Sequence, residues 1–246
     1  MYSINIRNTY IELLGKITKK MSFTKNTIEQ LIKASNQIQT ETIEDNDLTD
    51  ILEGLNAVIE ISERISKNDK TTDFYWNEII TELIAVIHSA ISGYSKLGLT
   101  GLRNILELVC HSFFYYDHQI ELKLSINENI KADKYVSALI NDYMFFTSKY
   151  INTFYDDIQK LEYKPDSISG FLKMEYSALC DVVHGRHKTL LKKDLSIKYD
   201  KISFKKFETH FLNITSVISN MYIVRHNDFN EKEIIKISKR LKLLKL

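Results

Sequence analysis

The run Leu102-Arg103-Asn104-Ile105-Leu106-Glu107-Leu108-Val109-Cys110-His111 decides how this chain is read. Its apolar residues recur at helical rather than alternating spacing, and Leu99, Phe113 and Phe114 extend the pattern on both sides. Arg103, Glu107 and His111 stand at i, i+4 and i+8, so a helix aligns them in one slowly drifting polar stripe. A helix apolar almost all round is a central one. An arginine there needs a partner, because burying a lone charge costs several kcal/mol. Glu107 is the obvious one, either as a structural ion pair fixing helix register or as part of an active site.

Working outward, helical periodicity explains most of the 246 residues. The spacing predicts helices over residues 4–19 and 26–38, an acidic loop over 40–47, and a helix capped by Asp47 carrying Ile51, Leu52, Leu55, Val58, Ile59 and Ile61. The polar run at 66–72 is the best internal boundary. Helices follow over 74–94 and 99–122, separated by Gly93, Gly98 and Gly101, then over 128–161 with Ser125 and Glu128 as a capping pair. Pro165 closes that region. Further helices cover 169–187 and 204–224, and Asn230 with Glu233 opens the last one. Residues 197–204 are the least helical stretch, and no convincing alternating strand appears.

One proline in the whole chain, where about 5% is ordinary, and seven glycines leave little material for the turns of β-rich folds. The expectation is an all-α fold: a bundle of long antiparallel helices over residues 71–246, with a helical appendage over 1–70. Cys110 and Cys180 are too few and too far apart for a disulfide framework, and each sits in an apolar helical context. The longest uncharged run, 83–95, is too short to span a membrane, and the N-terminus lacks the pattern of a secretory signal. The expectation is a cytoplasmic protein without a membrane partner.

Net charge is only +1, but it is unevenly spread. Residues 41–64 hold eight carboxylates against one arginine, residues 186–206 eight bases against two acids, and residues 231–246 six bases against two acids. Such asymmetry reads either as solvated helix faces or as an end that meets a polyanion. The basic stretch at 186–206 is interleaved with Tyr199, Phe204 and Phe207, so charge and aromatics coincide as in nucleic-acid binders. The aromatic residues around Phe113, Phe114, Phe145 and Phe146 read as core.

A second polar segment is Tyr176-Ser177-Ala178-Leu179-Cys180-Asp181-Val182-Val183-His184-Gly185-Arg186-His187-Lys188. His184 sits near a helix end with Gly185 as a natural C-cap. It is either a capping residue or an acid–base group, since histidine titrates near neutrality. Glu107 with His111 and His184 with His187 have spacings that metal sites in helical bundles use, but no Glu-x-x-His recurs on two helices. The reading therefore includes no metal and no cofactor, and no Gly-rich phosphate loop is present.

A helix carrying Arg-Asn-x-x-Glu followed by a later helix ending in Asp-x-x-His-Gly resembles the HEPN superfamily. The resemblance covers roughly residues 74–246. It implies an all-helical bundle, often dimeric, of bacterial anti-phage or toxin–antitoxin systems, and in many members RNA cleavage without a metal. The family signature is an arginine, usually followed by a polar residue, then a histidine after a gap of four to six residues. Here Leu179 stands where an arginine would precede His184, and His111 follows Arg103 after a gap of seven.

The signature is thus either split between two helices or lost. If split, the resemblance implies catalytic roles for Arg103, Glu107 and His184. Arg103 would stabilise phosphate charge, Glu107 would orient Arg103, and His184 would activate the ribose 2′-hydroxyl or protonate the leaving oxygen. Arg186, His187, Lys188, Lys192 and Lys193 would hold RNA. If lost, the same fold would serve as a non-catalytic module binding nucleic acid or a partner protein such as an antitoxin. A homodimer is possible in either case.

Overall fold

The computed structural model describes residues 24–128, 136–155, 160–184 and 199–246. Among them are ten α-helices and no β-strand. They are α1 (Lys25–Asp45), α2 (Thr49–Asn68), α3 (Asp73–Ile91), α4 (Ser95–Asp117), α5 (Gln119–Glu128), α6 (Val136–Asp142), α7 (Ser148–Asn152), α8 (Ser167–Val183), α9 (Lys201–His226) and α10 (Lys232–Ser238). A 3₁₀ turn over Lys239–Leu241 follows. No helix among the described residues is long and apolar enough to cross a membrane.

The most buried helix is α9, not the one around Arg103. Every residue from Ile214 to Val224 is buried. Its polar positions escaped the apolar pattern because their groups bond close by. Ser219 donates to the Thr215 carbonyl at 2.9 Å, and Asn220 donates to the Ser216 and Ser238 carbonyls at 2.7 and 2.9 Å. With their donors satisfied in this way, small polar side chains are tolerated in a core, although the Asn220 Oδ1 is left without a partner among the described residues.

Helix α4 packs as a hairpin on α3, buried along one side in its first half and all round from Ser112 to Tyr115. Trp76 meets the edge of Phe113 at 5.7 Å, and Tyr75 stacks with Tyr115 at 6.1 Å. Gly93, at φ 85°, makes the turn between them. Gly101 lies inside α4, where a Cβ would stand 2.3 Å from Val86 Cγ1. It sets a close helix approach and does not break the helix, and neither does Gly98. The expected start at residue 99 therefore moves to Ser95, and the helix stops at Asp117 before α5.

Helix α2 contributes Ile51, Val58, Ile61 and Ile65 to the same core as α3, α4 and α9. Gly54 faces Thr215 and Arg64 pairs with Asp228, so α2 and α9 run in the same direction. The bundle therefore mixes parallel and antiparallel pairs.

Three expected elements differ. The helix expected over 4–19 lies outside the described residues; the one expected over 26–38 starts one residue early, on a reciprocal Thr24–Thr27 cap, and continues through the acidic stretch to Asp45. Thr42, buried in its second half, donates to the Ile38 and Ile91 carbonyls at 2.7 and 3.0 Å, so contact with α3 extends the helix. The single helix expected over 128–161 is interrupted. Met144 and Phe146 take left-handed backbone angles (φ 53° and 52°), which lets the adjacent Phe145 and Phe146 both bury fully. Ser125 and Glu128 lie within α5. The last helix is only seven residues long; the chain turns at Lys242 (φ 50°), buries Leu243 and Leu244, and forms an isolated bridge between Leu244 and Glu162.

Part of the charge asymmetry is resolved inside the fold. Lys201 pairs with Asp45 at 3.0 Å, Lys236 with Glu53 at 2.6 Å, and Arg240 with Asp50 at 3.0 Å. Acids of the N-terminal stretch thus meet bases of the two C-terminal ones.

Candidate functional site

Helices α4 and α8 carry two stripes with the same spacing: Arg103, Glu107 and His111 on one, Tyr176, Cys180 and His184 on the other. Contacts link the stripes in reverse order. Arg103 Nε donates to Cys180 Sγ at 3.3 Å, and Arg103 Nη2 donates to the Tyr176 hydroxyl at 3.0 Å and to Glu107 Oε1 at 2.8 Å. The Tyr176 hydroxyl in turn donates to Glu107 Oε1 at 2.8 Å. The guanidinium also lies over the Tyr176 ring, 5.3 Å from its centroid.

Arg103 and Glu107 are paired as their spacing predicts, yet they are not sealed. Their side chains keep 22% and 19% of their exposure. Burial works against the Arg103 charge, but the Cys180, Tyr176 and Glu107 contacts outweigh it and hold its pKa above the ordinary value. Burial, followed by the hydrogen bond to Glu107, pushes the Tyr176 phenol up, so it stays a donor at neutral pH. Nη1 of Arg103 makes no hydrogen bond among the described residues.

His184 is exposed and caps the end of α8, its backbone N–H donating to the Cys180 carbonyl at 3.0 Å. One helical turn, about 6 Å of rise, separates it from the level at which Arg103 engages α8. The Arg103 guanidinium is turned toward Glu107 and Tyr176. His111 lies among Tyr75 and Tyr115, with ring centroids 6.2 and 6.3 Å away. Arg186, His187, Lys188, Lys192 and Lys193 lie outside the described residues.

The aromatic members of the basic stretch are not free to stack on bases. Phe204 and Phe207 belong to the core, and the Tyr199 hydroxyl bonds Asp45 and Asn46 at 2.5 and 3.0 Å. Their spacing on α9 was the signal, since i and i+3 place both on one face.

Tyr176 and Cys180 were missed as members of the site. The signal was the i, i+4, i+8 pattern they share with His184, which matches the stripe on α4. Cys110 is fully buried, and burial with Glu107 nearby pushes its thiol pKa well up; Cys180 is partly exposed. Among the described residues no three His, Cys, Asp or Glu side chains are grouped around a position for one metal ion. No protein-family model, curated protein or solved structure matches the chain.

Proposed function

We propose that the chain is an RNA-cleaving, HEPN-like protein of a bacterial defence or toxin–antitoxin system, working without a metal. One observation carries the reading: the facing stripes of α4 and α8 bring Arg103 against Cys180, one turn from His184. Arg103 Nη1, held out from a guanidinium fixed on its other side by Glu107 and Tyr176, is a donor for a phosphate oxygen. His184 removes the 2′-hydroxyl proton, or protonates the 5′-oxygen as it leaves. The attacking 2′-oxygen bonds to phosphorus, the 5′-oxygen departs, and a 2′,3′-cyclic phosphate remains.

Incubation of purified protein with total RNA, with and without a chelator, tests this. The expected result is cleavage in both, with cyclic phosphate ends, lost in His184→Ala and in Arg103→Ala. RNA left intact in both conditions overturns it.

A second reading has its own support. Two partners of Arg103 on α8, Cys180 and Tyr176, and one on its own helix, Glu107, make a cross-link between two helices, as a non-catalytic interaction module would need. On that reading Arg103→Ala lowers the melting temperature while His184→Ala changes nothing.

A further inference from the structure

A cleft of about 590 Å³ opens where α4 passes into α5, lined by Tyr116, His118, Ile120, Tyr150, Phe154 and Arg225. It lies fourteen residues along α4 from Arg103, about 21 Å, and is separate from the α4–α8 stripes. Its size falls in the range of small-ligand sites.

The charges on its floor cancel. Arg225 Nε donates to Asp117 Oδ1 at 2.8 Å, Arg225 Nη2 reaches the same oxygen, and the Tyr150 hydroxyl donates to Asp117 Oδ2. With both carboxylate oxygens engaged, the floor has no net charge for an anion. What it offers is a flat surface with separate donors and acceptors.

The flat surface is a ladder. Arg225 lies between Tyr116 and Phe154, its Cζ 5.0 and 4.1 Å from their centroids. Phe154, which also meets Tyr150 in an edge contact at 5.6 Å, is 39% exposed. Ile120 stands beside the cleft, 76% exposed.

The polar edges are equally defined. His118 Nδ1 lies 2.8 Å from the Phe114 carbonyl, which can only accept, so that nitrogen carries the proton. The neutral ring then has its lone pair on Nε2. Gln119 donates its amide N–H to Asp69 at 2.8 Å, leaving Oε1 to accept. Arg225 Nη1 has no partner among the described residues and can donate.

We propose that this cleft binds a nucleobase, packed against the exposed part of Phe154 and against Ile120. Its edge accepts from Arg225 Nη1 and donates to His118 Nε2 or Gln119 Oε1. A nucleobase is flat, uncharged at neutral pH, and carries both kinds of edge group. A purely aliphatic ligand would leave those polar groups unsatisfied, and a simple anion would meet an arginine already neutralised. The base can come from a free nucleotide or from an RNA strand. The proposal does not rest on the ribonuclease reading.

Calorimetric titration of the whole protein with the four nucleoside monophosphates, a pentaribonucleotide and ribose 5-phosphate tests it. At least one base-bearing ligand binds and ribose 5-phosphate does not. Phe154→Ala and the surface change Ile120→Ser each weaken binding, the first by about five- to a hundredfold, the worth of one stacked base. His184→Ala leaves binding unchanged, which separates this site from the cleavage reading. Binding of monophosphates identifies a free nucleotide as the source, and binding of the pentamer alone identifies a strand. No binding by any base-bearing ligand, equal binding of ribose 5-phosphate, or affinity unmoved in both variants overturns the proposal.

Discussion

The Tyr176 hydroxyl and the Glu107 carboxylate lie 2.8 Å apart across the α4–α8 interface, and the same carboxylate oxygen receives Arg103. Tyr176 therefore donates to the acid and accepts from the base of one ion pair. Tyr176→Phe removes both bonds but keeps the ring under the guanidinium. The expected cost is about 1 kcal/mol in urea unfolding, because the pair is partly solvated. RNA cleavage, if Arg103 drives it, falls further than that loss of folded protein accounts for.

Asp117 and Arg225 form a tighter pair. The Asp117 side chain is 6% exposed and Tyr150 also depends on it. Asp117→Ala leaves the guanidinium unpaired between two rings, at a cost of about 3–5 kcal/mol. Tyr150→Phe, which leaves the ion pair intact, costs distinctly less. Denaturant unfolding of the two variants side by side gives the order.

At Gly101 the expected change is steric. Gly101→Ala forces a methyl against Val86 Cγ1 and destabilises by about 1–3 kcal/mol, although alanine is the better helix former. Adding Val86→Ala to Gly101→Ala recovers part of the loss. Melting temperatures of the three variants check it.

Stability depends on pH through His226. Burial, then Arg225 beside it, lowers its pKa from 6.5 to about 4, against the opposing pull of Asp117 and Asp228. The unfolded chain binds the proton more readily, so this contribution is complete above about pH 6.5 and is lost as pH falls toward 4. The span is about 3 kcal/mol at most. His226→Phe removes this titration, and its melting temperature declines less steeply between pH 6.5 and 4 than that of the parent.

The pairs between the acidic and basic stretches are exposed and salt-sensitive. Lys236→Glu sets like charges on Glu53 and lowers the melting temperature, more at low ionic strength than at high. Combining it with Glu53→Lys restores the attraction and the melting temperature.

The all-α class was legible in the scarcity of proline and in periodicity, because both report the local backbone. Where the chain departs from its pattern, tertiary contact decides. Thr42 reaches the Ile91 carbonyl and carries α1 through an acidic stretch that reads as loop. Phe145 and Phe146, adjacent and both buried, force a bend that helical spacing alone does not reveal. The Arg103–Glu107 pair was readable because both residues lie on one helix. The Tyr176 and Cys180 contacts were not, since spacing along a chain does not say which stripe faces which. Likewise, the net charges of distant segments give no sign that Asp50 meets Arg240.

The close approach at Gly101 also has a mechanical consequence. With a backbone and a valine in direct contact, α3 and α4 form a fixed post that cannot slide without a clash. Helix α8 buries Leu172, Leu179 and Val182 in the same core as α4, and the polar bonds of the Arg103 stripe, partly open to water, lie beside that apolar contact.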